Sequence, residues 1–166
     1  MLNVIFNPDR IKLNLESTTK TDVFVELIET IAVSHAEFDR QELLEAVKFR
    51  ESKMNTNILP GVAVPHGYCP TVHGIIGALG FSKQGIEFES GEQESQLRSS
   101  NQKINKIEVP LANRVHLFFL LLMDESSREQ HLYVLSRLLE FLNSTTFGGI
   151  REAKTTQDVY RLLCRY

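Results

Sequence analysis

Three side chains in this sequence break the pattern around them, and all three are of types that handle anions. His66 stands in Pro65-His66-Gly67, just after the apolar run Gly61-Val62-Ala63-Val64. Such a run reads as a short strand that Pro65 ends, so His66 is expected on a tight, exposed turn beyond a strand end. Loops at strand ends are where α/β domains meet their ligands. A neutral imidazole, with an unperturbed pKa of ~6.5, is a competent nucleophile at neutral pH. Arg50 continues the apolar stripe set by Leu43 and Val47, so its guanidinium faces inward or onto a cleft rim. That position is costly unless an anion or carboxylate meets it. His131 occupies the first turn of a helix and shares a face with Leu135, Leu138 and Leu142. A helix N-terminus attracts phosphate and favours the neutral imidazole.

Ordinary roles remain open to all three from position alone. His66 could be a plain loop histidine, Arg50 a snorkelling arginine near a helix C-terminus, and His131 a satisfied core histidine. A different chemistry competes for part of the set. His66, Cys69 and His73 follow a His-x-x-Cys-x-x-x-His spacing that could supply three zinc ligands. A structural zinc site normally wants a fourth ligand and paired short spacings, which this stretch lacks. His116 sits inside an apolar strand and receives no role.

The elements that must position these residues can be read from caps and periodicity. Thr19 with Asp22 resembles a capping box, followed by Val23, Leu27, Ile28 and Ile31 at helical spacing. Asp39 with Glu42 opens a second helix that buries Leu43, Leu44 and Val47. Residues 75–81 and 86–88 read as two strands joined by a turn at Gln84-Gly85. Residues 115–123 form an apolar strand of the kind buried on both faces. Ser127 with Gln130 caps the next helix, whose stripe is Leu132, Leu135, Leu139 and Leu142, and a last helix runs over about 156–164. Between residues 90 and 105 the composition turns to Gln, Glu, Ser, Asn and Lys, which reads as a solvated, mobile loop within one domain. Strands alternating with capped helices imply an α/β layered domain.

Totals narrow the function classes. The 166 residues suit one domain, and 42% hydrophobic content supports a real core. With 18 basic and 21 acidic residues the net charge is -3, which leaves no nucleic-acid footprint and no polybasic membrane anchor. Two cysteines make no disulfide framework. The apolar run 115–123 is far short of the ~20 residues of a membrane span, and the start lacks signal-peptide features. A cytoplasmic protein is expected.

Taken together, Arg50-Glu51 and Gly61-Val62-Ala63-Val64-Pro65-His66-Gly67 resemble the phosphorylation-site signature of mannitol/fructose-class enzyme IIA. These are components of the bacterial phosphoenolpyruvate-dependent sugar phosphotransferase system (PTS). Leu13-Asn14-Leu15, Gly85-Ile86-Glu87-Phe88, the strand 115–122, Glu129-Gln130-His131-Leu132 and the closing helix fall in family order, so the likeness runs nearly end to end. The second half is most similar to the nitrogen-regulatory branch. The resemblance implies a mixed β-sheet sandwiched between α-helices, a single EIIA type-2 domain over residues 1–166, and no metal or other cofactor. It further implies that His66 takes a phosphoryl group from phospho-HPr or its regulatory paralogue and passes it to a IIB component. Arg50 is then expected to stabilise phosphate charge, and His131 to give the phosphate a hydrogen bond. Two other readings fit the same fold: a regulatory IIA that signals by its phosphorylation state, and a non-catalytic interaction scaffold. The chain departs from the family in the long link at about 90–113, and in Tyr68-Cys69-Pro70, where small or charged residues are more usual.

Overall fold

The computed structural model describes residues 1–88 and 114–166. The loop and insertion expected at about 90–113 lie outside the described residues. A short helix α1 (Leu2–Ile5) leads through a 3₁₀ turn to β1 (Ile11–Lys12). Helix α2 (Lys20–Ala32) starts where the Thr19 hydroxyl accepts the Asp22 N–H, as the sequence suggests. Helix α3 (Arg40–Lys53) starts where the Asp39 carboxylate accepts the N–H groups of Gln41 and Glu42. Strands β2 (Asn57–Leu59), β3 (Val62–Ala63), β4 (His66–Tyr68), β5 (Ile75–Glu87) and β6 (Arg114–Met123) follow. The chain then closes with α4 (Arg128–Leu142), α5 (Gly148–Glu152) and α6 (Thr156–Leu163). Thr155 and Asp158 form a complete capping box at the start of α6.

The sheet order is β1-β5-β6-β3-β2, with β4 also pairing to β6. Pairing is mixed: β5 runs antiparallel to β6, whereas β3 and β4 run parallel to it. Strand β6 is apolar on both faces because helices cover both. Its Phe118, Leu120 and Leu122 join the core beneath α2 and α3, and its Leu117, Phe119, Leu121 and Met123 join the core beneath α1, α4 and α6. This is the mixed sheet between helices that the sequence implied. No helix among the described residues is long and apolar enough to cross a membrane.

Three local expectations need correction. The stretch 75–87 is one strand, not two joined by a turn at Gln84-Gly85. Its register against β6 shifts between Phe81 and Ile86. Gly85, at φ +71°, absorbs the extra residues, and a Cβ there would lie 2.7 Å from the His116 ring. His116, given no role from sequence, donates from Nδ1 to the Ser82 carbonyl (2.9 Å) and so ties the bulge to β6. In α4 the buried face is His131, Val134, Leu138, Phe141 and Leu142, while Leu132 and Leu139 are exposed. The helix has a second apolar stripe one position away from the expected one, and that stripe carries His131. Ser127 makes no side-chain cap; instead the Asp124 carboxylate accepts its N–H at 2.8 Å.

Candidate functional site

The site is built where β4, the end of α3 and the start of α4 meet. His66 is not on an exposed turn. Pro65 has no N–H and interrupts the strand, but its carbonyl accepts from Leu121 (2.9 Å) and the chain resumes pairing with β6 as β4. His66, Gly67 and Tyr68 stand opposite Leu121, Leu122 and Met123. Strand alternation then sends His66 and Tyr68 to the α4 side and Gly67 to the α3 side. Gly67 is there because nothing larger fits: an added Cβ would sit 2.7 Å from the Ala46 carbonyl carbon and 2.8 Å from the Val47 nitrogen. His66 is consequently buried, with 7% of its surface exposed.

Burial is combined with a fixed proton. The Nδ1 of His66 lies 2.9 Å from the Val64 carbonyl. A carbonyl only accepts, so Nδ1 carries the hydrogen and Nε2 keeps its lone pair. The backbone that offers this carbonyl is itself held. Val64 donates its N–H to the Thr56 carbonyl at 2.9 Å, and the Thr56 hydroxyl donates to Glu51 at 2.6 Å. Glu51 is paired with Lys20 at 2.6 Å. Burial lowers the His66 pKa below the ordinary imidazole value, the Val64 carbonyl opposes this, and the Arg50 charge adds to the lowering. The ring is neutral at pH 7.

His131 faces His66 from the first turn of α4, with ring centroids 4.8 Å apart. Its Nδ1 is 3.1 Å from the Tyr68 hydroxyl. Its Nε2 is the one fully buried side-chain nitrogen or oxygen without a hydrogen-bond partner among the described residues. A buried polar atom left without a partner costs about 1–3 kcal/mol, so this nitrogen stands apart from the satisfied groups around it. Burial, then the His66 ring and the Arg50 charge, push the His131 pKa down to about 4. Asp124 fixes the approach of α4 to the sheet by accepting the N–H groups of both Gly74 (3.0 Å) and Ser127 (2.8 Å).

Arg50 is half-buried on the last turn of α3, in line with Leu43 and Val47. Its Nη1 donates to the Met54 carbonyl at 3.0 Å, and it forms no ion pair with a carboxylate of the described residues. The neighbouring Glu51 is taken by Lys20 and Thr56. The structure thus brings together an accessible imidazole lone pair, an uncommitted imidazole nitrogen and a guanidinium without a counter-ion. Such a set can bind a tetrahedral anion and accept it on nitrogen.

The zinc alternative is not supported by placement. Among the described residues no group of three or more His, Cys, Asp or Glu side chains is arranged to hold a metal ion. Cys69 is buried with its sulfur 3.0 Å from the Thr71 hydroxyl. Sequence reasoning singled out His66, Arg50 and His131 but missed the parts that hold them. Glu51 entered only as the neighbour of Arg50, and Thr56 and Asp124 not at all. Tyr68 stood out only as an unusual residue after the glycine, which was the available signal.

Known proteins resemble this chain along most of its length. A family model described as "Phosphoenolpyruvate-dependent sugar phosphotransferase system, EIIA 2" matches residues 4–166. The chain is 32% identical over 132 residues to the PTS system fructose-specific EIIABC component of Bacillus subtilis. That match covers 80% of this chain but only 18% of that protein's length. A nitrogen regulatory protein of Pseudomonas aeruginosa is 23% identical, covering 98% of this chain and 94% of that protein. Among solved structures, the fold is similar to nitrogen regulatory protein IIA-Ntr from Neisseria meningitidis, with a TM-score of 0.77, 22% identity and 98% of both chains covered. It is also similar to enzyme IIAMTL in its complex with phosphorylated enzyme IIBMTL from Escherichia coli, with a TM-score of 0.70, 17% identity, and 97% and 99% of the chains covered. Matched along almost its whole length by that one model, the chain belongs to the EIIA 2 family of the phosphoenolpyruvate-dependent sugar phosphotransferase system.

Proposed function

We propose that residues 1–166 form one EIIA unit that works in the cytoplasm as a phosphoryl carrier, taking the group onto Nε2 of His66. The observation that carries this reading is the fixed tautomer of His66: Nδ1–H is committed to the Val64 carbonyl, and the lone pair is left on Nε2. The donor is phospho-HPr or its regulatory paralogue. The His66 Nε2 lone pair forms a bond to phosphorus as the donor's N–P bond breaks, and that electron pair stays on the donor nitrogen. His66 keeps its Nδ1 proton, so the phosphorylated ring gains positive charge, which strengthens the hydrogen bond to Val64. Arg50 neutralises the oxygens of the loose, metaphosphate-like group in flight, and His131 Nε2 gives one hydrogen bond. In delivery, a nucleophile of a IIB component forms a bond to phosphorus as the His66 N–P bond breaks, and that electron pair returns to Nε2. Exposed Phe49 beside Arg50, and Leu132 and Tyr133 beside His131, supply apolar surface for brief docking.

A second reading is favoured by one observation. Nitrogen regulatory proteins match this chain along nearly their full length, 94% and 90% of those proteins in two cases. In that reading the same phosphorylation is a signal to a regulatory target. Incubation with phosphoenolpyruvate, enzyme I and HPr should add one acid-labile phosphate, and His66→Ala should add none. Labelling of His66→Ala at the normal rate would overturn the acceptor assignment. A wild-type protein that takes no label from HPr or its paralogue leaves only the scaffold reading. Onward transfer to a sugar IIB separates transport from signalling.

A further inference from the structure

The geometry points to Tyr68 as the residue that sets the proton of His131, placing it on Nε2 where it faces the phosphoryl site. The inference rests on His66, Arg50 and His131 acting as proposed above, and it assigns a positioning role to a side chain outside that trio. Three observations combine. Tyr68 is two residues from His66 on the same strand, so both side chains leave the sheet toward α4. Its hydroxyl is 3.1 Å from His131 Nδ1, and its ring meets the imidazole edge-on at 82° and 5.9 Å. The opposite nitrogen, Nε2, is buried without a partner.

A neutral imidazole has one N–H to place. If the phenol donates to Nδ1, the imidazole proton is on Nε2 and points into the site as a donor. If Nδ1 donates to the phenol oxygen, Nε2 presents a lone pair, which would repel a phosphoryl oxygen. The Arg50 charge favours that second, unproductive arrangement while the site is empty. Two features favour the first. The Arg128 guanidinium lies 5.4 Å from the Tyr68 ring centroid and draws electron density from it, making the O–H a better donor. The oxygens of a phosphoryl group only accept, so only an Nε2–H can serve them. Tyr68 therefore does for His131 what the Val64 carbonyl does for His66. One contact holds the proton near the site, the other holds it away.

The test is Tyr68→Phe, which keeps the ring and removes only the hydroxyl. Nitrogen-15 shifts of His131 in the unphosphorylated wild type at pH 7 should show Nε2 protonated and Nδ1 as a hydrogen-bonded acceptor. In Tyr68→Phe the Nδ1 signal should lose that hydrogen-bond shift and the Nδ1–H tautomer should gain population. Phosphoryl transfer should slow about tenfold through kcat, with KM for phospho-HPr and the melting temperature unchanged. A wild-type His131 protonated on Nδ1, or a variant with unaltered kcat, overturns the proposal. So does a loss wholly in KM, which would make Tyr68 a docking residue. The spectroscopic arm needs no phosphorylation, so a wild type inert toward HPr would defeat the carrier reading and leave the tautomer assignment decided by the spectra alone.

Discussion

Two polar clusters in this molecule are built from similar materials and finished differently. Under the start of α2, Glu26 receives Lys12 at 2.6 Å, the N–H groups of Glu16 and Ser17 at 3.1 and 3.0 Å, and the Ser17 hydroxyl. Both of its oxygens are engaged. Between α3 and α4, Arg50 has no carboxylate partner and His131 Nε2 has no partner among the described residues. A satisfied cluster stabilises the chain that carries it, whereas in the function proposed above the open cluster is completed by the phosphoryl group. Completeness of hydrogen bonding separates the two better than residue type does.

The strongest way to break this comparison is to remove the cation at the open cluster. Arg50→Met should lower phosphoryl transfer by about 10²–10³-fold with little change in thermal stability if, as proposed, the guanidinium acts on charge that develops in transfer. Lys12→Met should leave the rate untouched. Equal rates for Arg50→Met and wild type in rapid-quench assays would remove Arg50 from the site's chemistry.

Acid sharpens the contrast. His131 has its pKa pushed down to about 4, chiefly by burial, against ~6.5 when unfolded. Between those values the unfolded chain binds the proton and the folded chain does not, so stability rises with pH there and falls on acidification from pH 6.5 to about 4. The loss should be about 2–3 kcal/mol by urea unfolding, and His131→Gln should flatten that slope. A variant with an unchanged slope would mean that water already reaches the ring.

The satisfied cluster titrates lower and with the opposite origin. Burial alone would raise the Glu26 pKa, but the hydrogen bonds from Lys12, Ser17 and the backbone more than offset it and bring it to about 2. A depressed carboxylate contributes stability above its unfolded value, near 4.5, which is lost as pH falls through about 2. After discounting for solvent, Glu26→Gln should cost ~1–2 kcal/mol at pH 7, with phosphoryl transfer unaffected. A change in transfer greater than twofold would tie the two clusters together.

The layered fold could be read from the sequence because its signals are local. Caps at Thr19 and Asp39, and the doubly apolar run of β6, act within a few residues of themselves. Errors arose where a distant element chose between local options. Pro65 looked like a strand end, but β6 continues beside it and recruits His66. Helix α4 carries two overlapping stripes, and only the sheet beneath decides that Val134 and Phe141 are inside. The types and order of Arg50, His66 and His131 were visible in the chain. Their environment was not, because the Val64–Thr56–Glu51–Lys20 chain and the Tyr68 contact join residues that are far apart in sequence or carry no motif of their own.

Gly67 has a consequence for how this site can vary between relatives. Since the backbone of β4 rests on the backbone of α3 at Ala46 and Val47, no side chain serves as the spacer between them. The width of the gap between β4 and α3 is therefore set at this point by main chain against main chain. Exposed residues such as Phe49, Met54, Leu132 and Tyr133 can change in size or polarity without altering that width. If the site carries a phosphoryl group as proposed, partner preference and anion geometry are separable traits: the first can drift with the rim, while the second is locked to a single hydrogen atom where any other residue has carbon.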